Sequence, residues 1–160
     1  MAFLYKAFIR KNSPELRTKL EDLGYTNGAW ETPRFHYPYL SVWPNPKFGL
    51  FKGEGFYMTE DDYRLDGKVW EYKPKEDVID CGDNEQLFLA VAALRDDIDK
   101  HQWFIFENPG LYDDYPEKIW VYIFEENELE KYRKECIKLN KPILSYHKAM
   151  VEELIQYFNK

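Results

Sequence analysis

Val78-Ile79-Asp80-Cys81-Gly82-Asp83-Asn84-Glu85-Gln86-Leu87-Phe88-Leu89-Ala90-Val91-Ala92-Ala93-Leu94 changes its hydrophobic period part-way along, from an extended run to a helical one. Val78-Ile79-Asp80 reads as a short strand. Asp83 can accept the free backbone N–H groups at a helix start, and Gln86, three residues on, can reach back in a capping box. Leu87, Ala90, Val91 and Leu94 recur at i, i+3, i+4 and i+7, which predicts a helix over 84–95.

Working outward, the same order of strand and helix opens the chain. Phe3, Tyr5, Ala7 and Ile9 share one face of an expected strand over 3–9. Ser13 as N-cap, Pro14 at the first helical position and Glu15 in the first turn then announce a helix. Leu16, Leu20 and Leu23 give it an apolar stripe, and Gly24 stops it. Beyond the central unit, Gln102–Phe106 and Lys118–Phe124 read as strands. The second hardly alternates, which predicts a central strand covered on both faces. A loop over 107–117, marked by Pro109-Gly110 and Pro116, joins them.

A helix is expected over Glu128–Leu139 with Leu129, Tyr132, Cys136 and Leu139 on one stripe. Pro142 ends it, Ile143–Leu144 is a brief extended piece, and a last helix runs from about His147 to Phe158. Residues 26–58 are less regular. Four of the nine prolines and many aromatic rings fall there, with short strands expected near Tyr39–Val42, Gly49–Phe51 and Phe56–Met58. A hairpin strand over Lys68–Tyr72 follows the turn at Asp66-Gly67. The reading is one α+β domain over 1–160, with a mixed sheet of five or six strands covered by three or four helices.

Size and composition agree with that. A chain of 160 residues can bury a core without staples. Aromatic residues make up 18% of it, enough to fill a core with rings or to form a binding surface. Two cysteines, Cys81 and Cys136, are too few for a disulfide framework and fit a reducing compartment. The N-terminus has no secretory pattern and no window has the length of a membrane span, so a cytoplasmic protein is expected.

Charge is segregated. The net of −7 divides into +4 over residues 1–53, −15 over 54–130 and +4 over 131–160. The acidic middle either binds a basic partner or imitates nucleic acid, or is neutralised by the basic ends packed beside it. A net-acidic chain counts against general binding to nucleic-acid phosphates.

Two short segments are candidate sites. Asp80, Cys81, Asp83 and Asn84 occupy a strand-to-helix junction, where α/β folds tend to hold small ligands. Cys81 near a helix start could be a nucleophile, although its aspartate neighbours oppose a thiolate. The plainer reading makes Cys81 a small buried residue and Asp83 a cap. Asp96, Asp97 and Asp99 crowd a helix C-terminus, against its macrodipole, and could meet a basic partner or a divalent cation. They lack the order of EF-hand ligands, and solvated surface acid is the plainer reading. The aromatic stretch 30–57, with Trp43 and Phe48, could equally receive a partner. His36, His101 and His147 have no metal-ligand spacing, and no catalytic or phosphate-binding signature occurs. No metal or cofactor is expected.

Three segments carry a resemblance: Phe8-Ile9-Arg10-Lys11-Asn12-Ser13-Pro14-Glu15-Leu16-Arg17 on to Leu23-Gly24-Tyr25; Asp80 to Leu89 with Ala92–Asp97 and Gln102-Trp103-Phe104; and Ser145-Tyr146-His147-Lys148-Ala149 with Val151–Ile155. Together they resemble small uncharacterised proteins of phages and integrated mobile elements of Bacteroidales bacteria. No activity comes with that resemblance. It implies an accessory protein inside a bacterial cell that contacts a host or phage macromolecule. The expectation is a non-enzymatic protein-binding module. A small-molecule or nucleotide binder using residues 80–84 is the first alternative, and an enzyme using Cys81 or an aspartate-held metal the second.

Overall fold

β1 (Ala7–Ile9) passes into α1 (Pro14–Leu23) through the cap that the sequence marks. Ser13 Oγ accepts the Leu16 N–H at 3.2 Å, and Gly24 closes the helix with φ +115°. The computed structural model describes residues 3–27, 38–44, 55–58, 63–66 and 69–159. The strand expected over Gly49–Phe51, together with Phe48, lies outside them.

β2 (Thr26–Asn27), β3 (Leu40–Trp43), β4 (Phe56–Met58) and β7 (Ile79–Asp80) join β1 in a mixed five-stranded sheet of order β2-β4-β3-β1-β7. β5 (Tyr63–Asp66) and β6 (Val69–Pro74) form a separate antiparallel hairpin. α2 (Glu85–Ala92) follows β7. β8 (Trp103–Glu107), β9 (Lys118–Tyr122) and β10 (Ser145–Lys148) make a second, antiparallel sheet of order β10-β8-β9. α3 (Glu128–Lys138) and α4 (Val151–Phe158) complete the fold.

One apolar core ties the two sheets together. Ala7, Ile9, Leu40 and Val42 of the first sheet, Leu16 and Leu20 of α1, and most of α2 share a cluster with Ile105 of β8 and Leu154 of α4. Strand pleating sends successive side chains to opposite faces. Trp103 and Ile105 therefore face this core, while Phe104 and Phe106 face a second one with Ile123, Leu129 and Leu144 beneath α3.

The α+β class, the mixed five-stranded sheet and the four helices match the sequence reading. Several details differ. Strands over 102–106 and 118–124 belong to a separate sheet, and the latter is an edge strand and not a central one. Its apolar run is explained by two covers: Trp120 stacks on Tyr157 of α4, while Ile119 and Val121 turn to the α3 side. Asn84, not Asp83, caps α2, its Oδ1 accepting the Leu87 N–H at 3.1 Å. Ile143–Leu144 is not the extended piece; Ser145–Lys148 pairs with Glu107–Phe104. His147 therefore lies in β10, and the last helix starts at Val151, where Glu153 Oε1 accepts the Met150 N–H at 3.0 Å.

Candidate functional site

The 80–84 junction is occupied by its own structure. Asp80 Oδ1 accepts the Gly82 N–H at 2.9 Å, and Oδ2 pairs with Arg10 at 3.2 Å. Gly82 sits at φ +61°, the left-handed conformation that glycine tolerates. Asn84 uses both ends of its amide, since its Nδ2 donates to the Phe158 carbonyl at 2.8 Å while its oxygen caps α2. Cys81 is buried, and burial with the Asp80 charge pushes its thiol up to about 12. That favours the protonated thiol over the nucleophilic thiolate at neutral pH. Asp80 and Asp83 are exposed, on an open hollow that also touches Phe158 and Asn159.

The aspartates of the second candidate segment lie beyond α2, which ends at Ala92, and so do not oppose its dipole. Asp97 is held by Arg95 through two contacts of 2.9 and 2.8 Å, and that guanidinium keeps its carboxyl below the ordinary range. Lys148 lies 3.7 Å from Asp99 and donates to the Arg95 and Ile98 carbonyls at 2.9 and 2.6 Å. Asp96 is exposed. Among the described residues, no three acidic, histidine or cysteine side chains gather as a metal site. Trp43, the described member of the aromatic pair, is buried against Phe56 with Lys6 over its ring at 4.0 Å.

These contacts follow a pattern. Lys6 pairs with Asp77 at 2.6 Å, and Lys11 and Lys19 hold Glu85 at 2.6 and 2.8 Å. With Arg10–Asp80 and Lys148–Asp99, the basic ends of the chain pair with four of the carboxylates between residues 77 and 99, while Asp83 and Asp96 have no ion pair among the described residues. Each exposed pair contributes little stability, but together they cancel the local field.

The next acidic stretch is paired only at its far end, where Lys131 lies 3.6 Å from Glu125 and Lys134 lies 3.0 Å from Glu130. Residues 107–130 carry eight Asp/Glu against Lys118 alone. Asp113, Asp114 and Glu117, in the loop before β9, are exposed and make no ion pair among the described residues. Past the strand, Glu126 is used as a backbone acceptor for Asp99 and Lys100, and Glu128 for Phe124 and Glu125. Between these acidic flanks, Ile119, Trp120, Val121 and Tyr122 are all half-buried, whereas Phe104, Ile105 and Phe106 of the adjacent β8 are buried. An apolar hollow of about 380 Å³ lies under α3, lined by Phe106, Ile119, Val121, Leu129, Tyr132 and Leu144 among others.

On the opposite face of the same sheet is an open cleft of about 870 Å³, between α1, α2, α4 and the sheet. Trp103, Tyr122, Tyr157 and Phe158 line it with Leu23 and Leu89, and Lys19, Asp22, Gln86 and His101 stand around them. The rings brace one another: Trp103 meets Tyr122 edge-on at 5.3 Å and Phe158 at 5.5 Å. His101 adopts φ +68°, and its Nδ1 is 3.1 Å from the Tyr122 hydroxyl. Burial, aided by Lys100 and Arg95 and opposed by Asp22, lowers the imidazole pKa, so the ring is neutral at pH 7. Sequence reasoning missed this cleft because its residues come from five separated elements, α1, α2, β8, β9 and α4. The one local signal was the pair of aromatics at Tyr157-Phe158, next to each other on a helix that needs only one for its apolar stripe.

No helix among the described residues is long and apolar enough to cross a membrane. No family, curated protein or solved structure matches the chain.

Proposed function

We propose that the chain is a binding protein that contacts a basic protein partner through its second sheet and the acidic segments flanking β9. The observation that carries this reading is the contrast in charge pairing. Carboxylates at 77, 80, 85, 97 and 99 have cationic partners within the fold, while Asp113, Asp114 and Glu117 have none among the described residues. Unpaired like charges close together raise the energy of the free protein and are relieved by a cationic surface. Free Cys81 and Cys136 fit a reducing compartment such as the bacterial cytoplasm, in the mobile-element setting that the resemblance implies.

Charge reversal tests it. A D113K/D114K/E117K variant should lose at least about tenfold in affinity for a basic peptide, mostly through slower association and a weaker salt dependence. Reversing Asp96 alone should leave binding intact. Equal loss in both variants would mean that only overall charge matters, and would overturn the assignment to this sheet.

A second reading rests on the aromatic cleft, whose bracing rings and neutral His101 suit a flat small molecule. Stabilisation by such a compound, abolished in Trp103→Ala but kept in D113K/D114K/E117K, would select it over the first.

A further inference from the structure

We infer that the partner binds by adding a strand to the free edge of β9, as an extended segment with an apolar centre and basic flanks. This rests on the protein-partner reading above and goes beyond it in fixing the mode of contact.

Antiparallel ladders alternate between residue pairs that exchange hydrogen bonds and pairs that do not. Asn108 N–H donates to the Glu117 carbonyl at 2.7 Å, and Ile123 N–H to the Gln102 carbonyl at 3.0 Å. With Phe106 opposite Ile119 and Phe104 opposite Val121, the bonded positions on β9 are Ile119 and Val121. The N–H and C=O groups of Lys118, Trp120 and Tyr122 therefore point away from β8, off the edge of the sheet. They have no hydrogen bond among the described residues. A five-residue edge with no proline or bulge is unprotected. The edges of the larger sheet, β2 and β7, are only two residues long.

Both faces of this edge are apolar. An added strand would set alternate side chains beside Trp120 and Tyr122 on one face and beside Ile119 and Val121 on the other, next to the hollow under α3. Such neighbours favour β-branched and aromatic residues at successive positions, with no polar alternation. Beyond the strand, Asp113, Asp114 and Glu117 at one end have no ion pair among the described residues, and at the other end Glu125 and Glu126 are exposed, with Lys131 3.6 Å from Glu125; both ends call for Lys or Arg on the flanks. The same acids oppose pairing with a second copy. In either direction, a second β9 would bring carboxylates against carboxylates.

The test uses the whole protein and two synthetic peptides. One is Lys-Arg-Thr-Ile-Val-Tyr-Val-Thr-Arg-Lys; the other has proline in place of both valines, which keeps the charge and removes ladder donors. Hydrogen exchange of individual amides is followed with each. The expected result is tighter binding of the first peptide by at least about tenfold, with slowed exchange at Lys118, Trp120 and Tyr122 and little change at Ile119 and Val121, which are already bonded. Equal binding of both peptides with unchanged edge amides would overturn strand addition and leave the charge-based reading standing. Binding of neither would overturn both. Slowing of the edge amides with protein concentration alone would assign the edge to a second copy instead.

Discussion

Asn84 joins α2 to the end of α4 through one amide group, capping the first and holding the last carbonyl region of the second. Asn84→Ala removes both bonds and leaves a helix start uncapped, so a loss of about 1–2 kcal/mol is expected in urea unfolding. Asn84→Asp should keep the cap and lose only the tether to Phe158, and so should cost less. Three other side chains make a pH prediction. Tyr25 donates to the Ala92 carbonyl at 2.6 Å from a buried position, Tyr57 donates to Glu21 at 3.0 Å, and Cys81 lies in the core. Burial raises all three above their ordinary values. The unfolded chain therefore ionises first, and the stability they lend is complete below about pH 9 and falls as pH rises past it. A melting temperature that declines above pH 9 in the wild type, and less steeply in Tyr57→Phe, would bear this out. An unchanged slope would contradict it.

Elements with local signals were legible in the sequence. α1 carried its cap, its stripe and its closing glycine within a dozen residues, and α3 carried its stripe. β10 was not legible, because Ser145-Tyr146-His147-Lys148 has no apolar alternation and becomes a strand only through its pairing with β8. The place of β9 was misread for a related reason. Covered faces and covered edges are different things, and only the faces leave a mark in the hydrophobic pattern. The close approach of β4 to α1's end was also hidden. A Cβ on Gly55 would lie 2.7 Å from the Tyr25 ring and 2.8 Å from the Trp43 carbonyl, and that ring is itself buried. Gly55→Ala should therefore destabilise the protein by about 1–3 kcal/mol, as overpacking does, measured by thermal or urea unfolding.

At the scale of the whole molecule, the segregated charge resolves into two parts. The basic N-terminal region and Lys148 cover acids near β7 and α2, while Asp113, Asp114 and Glu117 before β9 are left to solvent beside an apolar edge. The sequence showed the segregation but not this division, since which lysine reaches which carboxylate depends on how the strands are ordered. The aromatic cleft could not be read from any one segment, because it is assembled from residues far apart in the chain, and β9 is an open edge only through the order of strands in its sheet. The most direct test of the account is an NMR titration of the labelled protein with the basic, apolar-centred peptide. Perturbed amides should cluster at residues 113–126 and at Asp99 and Lys100, whose N–H groups donate to Glu126, with those at 77–97 unaffected. Perturbation centred on 77–97, or spread evenly over every acidic segment, would contradict it.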